Sequence, residues 1–571
     1  MYSKKWIIKA TPDTAVVEHL KEVLSVDGIL AMLLAQRGIR NFESARAFFR
    51  PAYEHLHDPF MMKDMQRAVD RIDHAIRHRE NIMVYGDYDV DGTTSVAMVY
   101  SFLKKIYSNV EYYIPDRYTE GYGVSFKGID VAVAGDFRLM IALDCGVKAV
   151  EKIRYANSKG IDFIVCDHHY PGAELPAAFA ILNPKRADCT YPYKDLSGCG
   201  VGFKMLQAFA QKNGIPAEEV YQYIDLVAVS IASDIVPMVG ENRVLTALGI
   251  QKLNENPSLG LKSIVKISGL EGSQRHVDDI VFRIGPRINA AGRMKSGKYA
   301  VELLISDEER TARYSGVEID RFNTDRKNID SDITGQALRM LADDPKQEFH
   351  RTTVLFEPSW HKGVVGIVAS RLIETYYRPT VILTESNGLA TGSARSVEGF
   401  DLYKAIDACS DLLENFGGHM YAAGLTMKIE NVAAFIRKFE EVVATTITDE
   451  QLTPNIEIDT EISFTDINDK FVRILKQFQP FGPKNMSPVF LTRNVVDTGA
   501  AKIVGKYGEH LKLELRQEIH PEIIFPAIGF KLGEHYPVIK SGVPFDVCYA
   551  IEENTFRGET KIQLQVKQLR V

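Results

Sequence analysis

The chain is poor in cysteine: six in 571 residues, none of them in a Cys-x-x-Cys pair. That count and spacing argue against both a disulfide framework and a cysteine-ligated zinc site. Cys145 and Cys166 stand beside acidic residues, but read as small buried thiols. No apolar run approaches the length needed to cross a bilayer, and Met1-Tyr-Ser-Lys-Lys-Trp6 lacks the pattern of a signal peptide. A soluble, cytoplasmic protein with no membrane partner is expected. Positive charge is not in excess either. A net charge of −7 and a pI of about 6.1 offer no general attraction for a polyanion, which would have to be met by a local basic groove. Apolar material is plentiful: 45% hydrophobic residues, in a length that suggests about three or four domains.

The most informative stretch is Ile82-Met-Val-Tyr-Gly-Asp87-Tyr-Asp89-Val-Asp91-Gly92. An apolar run too short for a helix stops at three carboxylates spaced two apart, and an apolar helical pattern follows from Val96 to Ile106. This reads as strand, tight acidic loop, helix. The spacing also opens an EF-hand, but that loop needs a glutamate at its twelfth position, here Met98, and a helix in front. A solvated acidic turn is the remaining alternative. Carboxylates so close together repel one another unless a cation is shared between them.

Further strands are expected at Val110–Ile114, Leu139–Leu143, Phe163–Cys166 and Phe179–Leu182, with helical patterns between several of them: an open, largely parallel sheet. The strand ends carry a pattern. One ends at Asp144-Cys-Gly146 and another at Asp167-His168-His169, while an apolar helix from Tyr221 to Ala232 runs into Ser233-Asp234. Parallel sheets bind ligands beyond the carboxyl ends of their strands, whereas ordinary surface charge would be scattered. A single histidine near a carboxylate is usually a satisfied side chain. As an adjacent pair, one of His168 and His169 can bind metal while the other faces substrate. Oxygen ligands with one imidazole suit Mn²⁺ or Mg²⁺, and enough carboxylates are present for two ions, an arrangement used to cleave phosphodiesters.

Together, Asp87-Tyr-Asp-Val-Asp-Gly92, Asp144-Cys-Gly146, Asp167-His-His169 and Ser233-Asp234 resemble the DHH phosphoesterase superfamily. The resemblance runs on through residues 40 to 571 to its single-stranded-DNA-specific 5′→3′ exonucleases. It implies that Asp89, Asp91, Asp144, His168 and Asp234 are metal ligands, with Asp87 a further candidate. It implies that His169 contacts or protonates the scissile phosphate, and Asp91 and His419 are grouped with it as catalytic. Many relatives have histidine at the place of Tyr85, so one metal site is expected to have a weaker ligand set.

In Phe282-Arg-Ile-Gly-Pro-Arg-Ile-Asn-Ala-Ala-Gly-Arg-Met294, small residues alternate with arginines. Small residues allow close backbone approach and guanidinium forks fit phosphate oxygens, although a turn with solvated arginines fits the same string. The resemblance favours phosphate contact for Arg293, and for Arg117 in Pro115-Asp-Arg-Tyr-Thr-Glu-Gly-Tyr-Gly123, over Arg287. Residues 299 to 343 are charge-rich and helical, as expected of a segment joining two lobes. A second α/β unit follows, with strands at Thr353–Phe356 and Thr380–Leu383 and a helix at Val364–Tyr377. It holds Gly392-Ser-Ala-Arg-Ser396 and Gly417-Gly-His-Met-Tyr-Ala-Ala-Gly424. By spacing alone Gly417-Gly418 is a turn before a strand. By resemblance to the DHH-associated domain, Ser393 and Arg395 would hold a terminal 5′ phosphate and His419 would face the scissile bond.

After Pro454, six short alternating strands between Val489 and Leu569 suggest a small barrel of the OB type. Phe481, Tyr507, Phe530, Lys502, Lys506 and Lys512 are candidates for stacking and a basic track, against the alternative that barrel aromatics form core. The expected architecture is α/β. It comprises an N-terminal helical cap (1–75), a DHH catalytic domain (76–298), a connecting helix (299–345), a DHH-associated (DHHA1) domain (346–452) and an OB-fold nucleic-acid-binding domain (453–571). Two α/β lobes joined by a long helix around a cleft are expected to precede the barrel. The expected function is two-metal hydrolysis of single-stranded DNA from its 5′ end by a monomer, with single-strand-binding protein and a RecQ-type helicase as partners implied by the resemblance. The alternatives are an oligonucleotide or cyclic-dinucleotide phosphodiesterase, and a non-catalytic single-strand-binding replication scaffold.

Overall fold

The computed structural model describes residues 4–345, 347–556 and 559–571. The first three residues of the expected cap, the first of the expected accessory domain and two of the expected barrel lie outside the described residues. The chain forms two compact units: one of Pro51–Ala337 with Pro480–Asn485, the other of residues up to Arg50, Leu338–Gln479 and Met486–Val571.

In the first unit, strands β1 (Asn81–Gly86), β2 (Val110–Tyr113), β3 (Phe137–Leu143), β4 (Asp162–Cys166) and β5 (Ala180–Leu182) form one parallel sheet in the order β2-β1-β3-β4-β5. Side chains alternate between its faces, as period-two geometry requires. Ile82, Val84, Leu139, Ile141, Leu143 and Ile164 pack into one core, and Met83, Tyr85, Met140, Ala142, Phe163 and Val165 into another. Both faces are covered, which is why these strands read as continuous apolar runs.

Helix α1 spans Val90–Ile106 and starts six residues earlier than its apolar pattern suggested. Asp89 caps it by accepting the Gly92 N–H at 3.0 Å, and Asp91 stands in its first turn, where a carboxylate is favoured by the helix dipole. The expected Tyr221–Ala232 helix is instead a short helix at Glu218–Tyr221 followed by α3 (Ile224–Ser233); α2 (Gly198–Asn213) precedes both. The arginine string is not a turn. It continues a π-helical segment, Ile280–Ile284, into α4 (Gly285–Met294). The expected connecting helix is also interrupted: Lys298–Leu304 buries Ala300, Val301 and Leu303 in the first unit's core, and α5 (Glu309–Ala342) follows.

In the second unit, β6 (Thr353–Phe356), β7 (Thr380–Ser386), β8 (Leu389–Arg395), β9 (Asn415–His419) and β10 (Ala422–Lys428) form a sheet in the order β9-β10-β8-β7-β6. Gly417 and Gly418 lie inside β9 rather than in a turn before it. A closed five-stranded barrel follows, made of β11 (Phe490–Asp497), β13 (His510–Gln517), β14 (His520–Gly529), β15 (Phe545–Phe556) and β16 (Glu559–Arg570), with β12 (Lys502–Val504) added at the edge of β13. Pairing of β11 with β13 completes it. The N-terminal segment is not wholly helical. Lys5–Ile8 pairs in parallel with Asn455–Ile458, and Trp6 donates its indole N–H to Gln568 of the barrel at 2.8 Å. Helix Met65–His78 begins within the expected cap, runs past its expected end at residue 75, and buries Val69 and Ile72 in the same core as β1.

Candidate metal centre

The strand order reverses between β1 and β3, and there a parallel sheet opens a crevice at its carboxyl edge. Asp87, Asp89 and Asp91 follow β1 and Asp144 follows β3, so these carboxylates face the same opening. Asp144 adopts a left-handed backbone (φ 58°), as does Ile235 just after Asp234 (φ 58°). For a β-branched residue that conformation is strained, and such strain collects at functional sites. Gly198 at the start of α2 has no room for a side chain: a Cβ there would lie 2.6 Å from that of Asp144.

His168 is the hub. Its Nε2 lies 3.1 Å from Asp144 Oδ1, 3.5 Å from Asp234 Oδ2 and 3.8 Å from Asp91 Oδ2. Two donor sets with metal-ligating spacing result: Asp144, His168 and His169, and Asp91, His168 and Asp234. Burial pushes the His168 ring down to about 4, so near neutrality it is uncharged, the form in which imidazole can bind metal. Burial and mutual repulsion push Asp87, Asp144 and Asp234 well above the usual carboxylate range, the repulsion coming first from Asp89 at Asp87 and from Asp91 at the other two. Asp87 Oδ2, Asp144 Oδ1, Asp234 Oδ2 and both ring nitrogens of His168 are shielded from water without making a hydrogen bond. Orphaned buried acceptors of this kind are costly, and a hard divalent cation matches this set of oxygens and one imidazole. The residues therefore fit Mn²⁺ or Mg²⁺.

Asp91 is held differently from its neighbours. It accepts N–H groups of Gly198 (2.6 Å) and Cys199 (2.7 Å) from the first turn of α2, and the Ser230 hydroxyl of α3 (2.7 Å). Asp87 lies behind the turn, with the Gly123 N–H 3.4 Å from Oδ1, and neither Asp87 nor Asp89 belongs to the two donor sets. Tyr85 takes no part as a ligand. Its hydroxyl donates to the Gly123 carbonyl at 2.8 Å and accepts the Ser125 N–H at 3.2 Å, bracing the loop that carries Tyr122.

His169 is oriented by Asp167, a residue the motif reading left without a role. Asp167 Oδ1 lies 2.7 Å from His169 Nδ1 and accepts the N–H groups of His168 and His169, while Oδ2 accepts that of Val147. Burial alone would raise the Asp167 carboxyl. The hydrogen bond and charge of His169, then the charge of His168, overcome it and hold Asp167 well below the usual range. An ionised Asp167 can only accept, so His169 donates through Nδ1 and presents Nε2, 3.3 Å from the Tyr122 hydroxyl. Sequence reasoning also missed Tyr122, Ser230, Gly198 and Cys199. Gly121-Tyr122-Gly123 was the available signal for the first; nothing in the sequence marked the others.

Two of the expected arginines flank this cluster. Arg117 stacks on Tyr88, 5.0 Å from its ring centre, and Tyr118 donates its hydroxyl to the Arg293 carbonyl. The charge of Arg117 is felt at Asp87 and that of Arg293 at Asp89. Arg287 is engaged elsewhere, with Asp320 at 2.9 Å and the Arg283 carbonyl at 2.7 Å. In the second unit, strand register brings His419, Ala422 and Arg395 into one row across β9, β10 and β8. Arg395 donates to the Ser393 hydroxyl at 2.7 Å. All six cysteines are free and buried.

The sheet, its carboxylate–imidazole cluster and the matching family models define the class as a DHH-type phosphoesterase fold. The models are the DHH family N-terminal domain over residues 81–231, the DHHA1 domain over 351–445 and the RecJ OB domain over 458–568. The single-stranded-DNA-specific exonuclease RecJ of Bacillus subtilis is 37% identical over 570 residues, spanning 99% of this chain and 71% of that protein. That of Haemophilus influenzae is 31% identical over 527 residues, 89% of this chain and 91% of that protein. The chain belongs to the RecJ family. Among solved structures, RecJ of Thermus thermophilus in complex with Mn²⁺ matches with a TM-score of 0.85 at 26% identity, over 99% of this chain and 79% of that one. An exonuclease RecJ bound to manganese matches with a TM-score of 0.59 at 31% identity, over 68% and 96%.

Proposed function

We propose that this chain is a metal-dependent exonuclease that removes mononucleotides from the 5′ end of single-stranded DNA, in DNA repair and recombination. The observation that carries the reading is the meeting of Asp91, Asp144, His168 and Asp234, the last three with unsatisfied buried atoms, at the sheet's switch point. The relatives' names supply the substrate class. Two Mn²⁺ or Mg²⁺ ions are the cofactors, held by Asp89, Asp91, Asp144, His168 and Asp234, with Asp87 close behind. When bound, they activate water and offset charge on the phosphoryl group.

The protein's own groups position the substrate. His169, fixed through Asp167, presents Nε2 to the scissile phosphate and is suited to hand a proton to the leaving oxygen. Arg117 and Arg293 meet phosphate oxygens beside the carboxylates. Ser393 and Arg395 hold the terminal 5′ phosphate, and His419 contacts the scissile region. The OB barrel binds the strand downstream, a role that stands against the dinucleotide-phosphodiesterase reading, for which no barrel is needed. A donor set that departs from the family's only at Tyr85 stands against the scaffold reading. Among the described residues no helix is long and apolar enough to cross a membrane. A cytoplasmic monomer working beside single-strand-binding protein and a RecQ-type helicase completes the proposal.

Digestion of 5′- and 3′-labelled single strands and duplex, with and without Mn²⁺, tests it. Metal-dependent release of 5′ label from single strands alone is expected. Faster cleavage of a dinucleotide than of a long strand, or strand binding with no metal-dependent release, would refute it.

A further inference from the structure

Two side chains beside the metal centre have no part in the site described above. Tyr170 follows His169 directly beyond β4, and Lys185 stands in the loop leaving β5, the adjacent parallel strand. Lys185 Nζ lies 5.0 Å from the centre of the Tyr170 ring. The two loops are tied through the buried Asn183, whose amide donates to the His169 carbonyl at 2.8 Å and whose side-chain oxygen accepts the Lys185 N–H at 2.8 Å. Lys185 is thereby coupled in position to the histidine pair.

Tyr170 is 72% exposed, although a large aromatic at a built site would ordinarily be covered. Lys185 acts electrostatically on His168 and Asp234, so it sits at the rim of the carboxylate cluster. Yet among the described residues it forms no ion pair, and its ammonium rests on the tyrosine ring. One ring face carries the cation, and most of the ring surface is open to solvent. An exposed ring with an adjoining unpaired cation is the pairing that grips an unstacked base and its phosphate.

We infer that Tyr170 and Lys185 form a nucleotide subsite next to the scissile phosphate, the ring stacking on a base of the single strand and the ammonium meeting a backbone phosphate. The inference rests on the exonuclease reading of the neighbouring centre. A base paired in a duplex cannot offer its face to the ring, so the subsite favours single strands.

Tyr170→Ala, Tyr170→Phe and Lys185→Ala in the full chain are compared with the parent on a 5′-phosphorylated oligonucleotide and on versions with one abasic residue at each of the first four positions. Tyr170→Ala is expected to raise KM about ten-fold with little change in kcat, as loss of one stacked base predicts, and Tyr170→Phe to leave KM unchanged. At one position the abasic substrate should cost the parent the same factor and cost Tyr170→Ala nothing further. Lys185→Ala should reduce the slope of log affinity against log salt by about 0.7, the signature of one lost phosphate contact on a single strand. An unchanged KM in Tyr170→Ala, or an abasic penalty that persists in it at every position, would overturn the inference. If the parent releases no nucleotide, the exonuclease reading fails. Strand affinity measured without turnover then still judges the pair, equal affinity for parent and variants counting against it.

Discussion

Asp144 combines a left-handed backbone, burial and four carboxylate neighbours, a combination that destabilises the metal-free protein and persists only where the surroundings impose it. Asp144→Ala should abolish turnover, by on the order of 10³-fold or more, while strand affinity measured by fluorescence anisotropy stays within a few-fold. Full activity would remove Asp144 from the centre. Asp167→Asn leaves the packing in place but lets Asp167 donate, so His169 loses its fixed tautomer. A fall in kcat on the order of 10²–10⁴-fold with unchanged KM is expected by comparison with other carboxylate-oriented histidines. Equal loss in KM would indicate a folding role instead. Arg395→Ala should reduce the preference for a 5′-phosphorylated end over a 5′-hydroxyl end, measured as a ratio of kcat/KM.

At the scale of elements, the ends of α2 and β3 are packed too closely for any residue but glycine at position 198. Gly198→Ala would drive its Cβ into Asp144 and shift the N–H groups that hold Asp91. The expected loss of stability is about 1–3 kcal/mol, with a higher Mn²⁺ concentration for half-maximal activity; an unchanged Mn²⁺ midpoint would show that α2 does not position the carboxylates. Elements were also where the sequence was most and least legible. The strands around the centre were readable because both faces of a parallel sheet are buried, which leaves short apolar runs between polar stops. The start of α1 was not. Asp89 and Asp91 look like loop residues by polarity, and only their capping geometry shows that the helix already begins at Val90. The arginine string failed for a related reason. Its glycines and proline resemble a turn, yet Pro286 stands in the first turn of α4, directly after the π-helical segment Ile280–Ile284. In α4, Gly292 gives room for the Tyr88 carbonyl, 2.5 Å from where its Cβ would stand.

For the whole molecule, the orphaned acceptors link metal binding to stability. Removing divalent ions with a chelator should lower the melting temperature, and restoring Mn²⁺ to about a hundred times its Kd should return about 2.7 kcal/mol of stability for each ion bound. A melting curve indifferent to the chelator would mean that these carboxylates do not hold an ion. The net charge of −7 made nucleic acid an unpromising partner on composition. Family membership and the arginines beside the carboxylates outweigh it, because charge acts locally through a screened field.

The sequence by itself determined the elements and the kinds of chemistry available: apolar runs, acidic stops and paired histidines are local patterns, written in consecutive residues. Only the tertiary structure decided which groups meet. Asp91, Asp144 and His168 come together because parallel strands align their carboxyl ends and the order reverses between β1 and β3, and Asp234 joins them from the C-terminal end of α3. The partners of Asp91 come from α2 and α3, more than a hundred residues along the chain, and Tyr122 reaches His169 from a separate loop; no periodicity in one dimension records contacts of that kind.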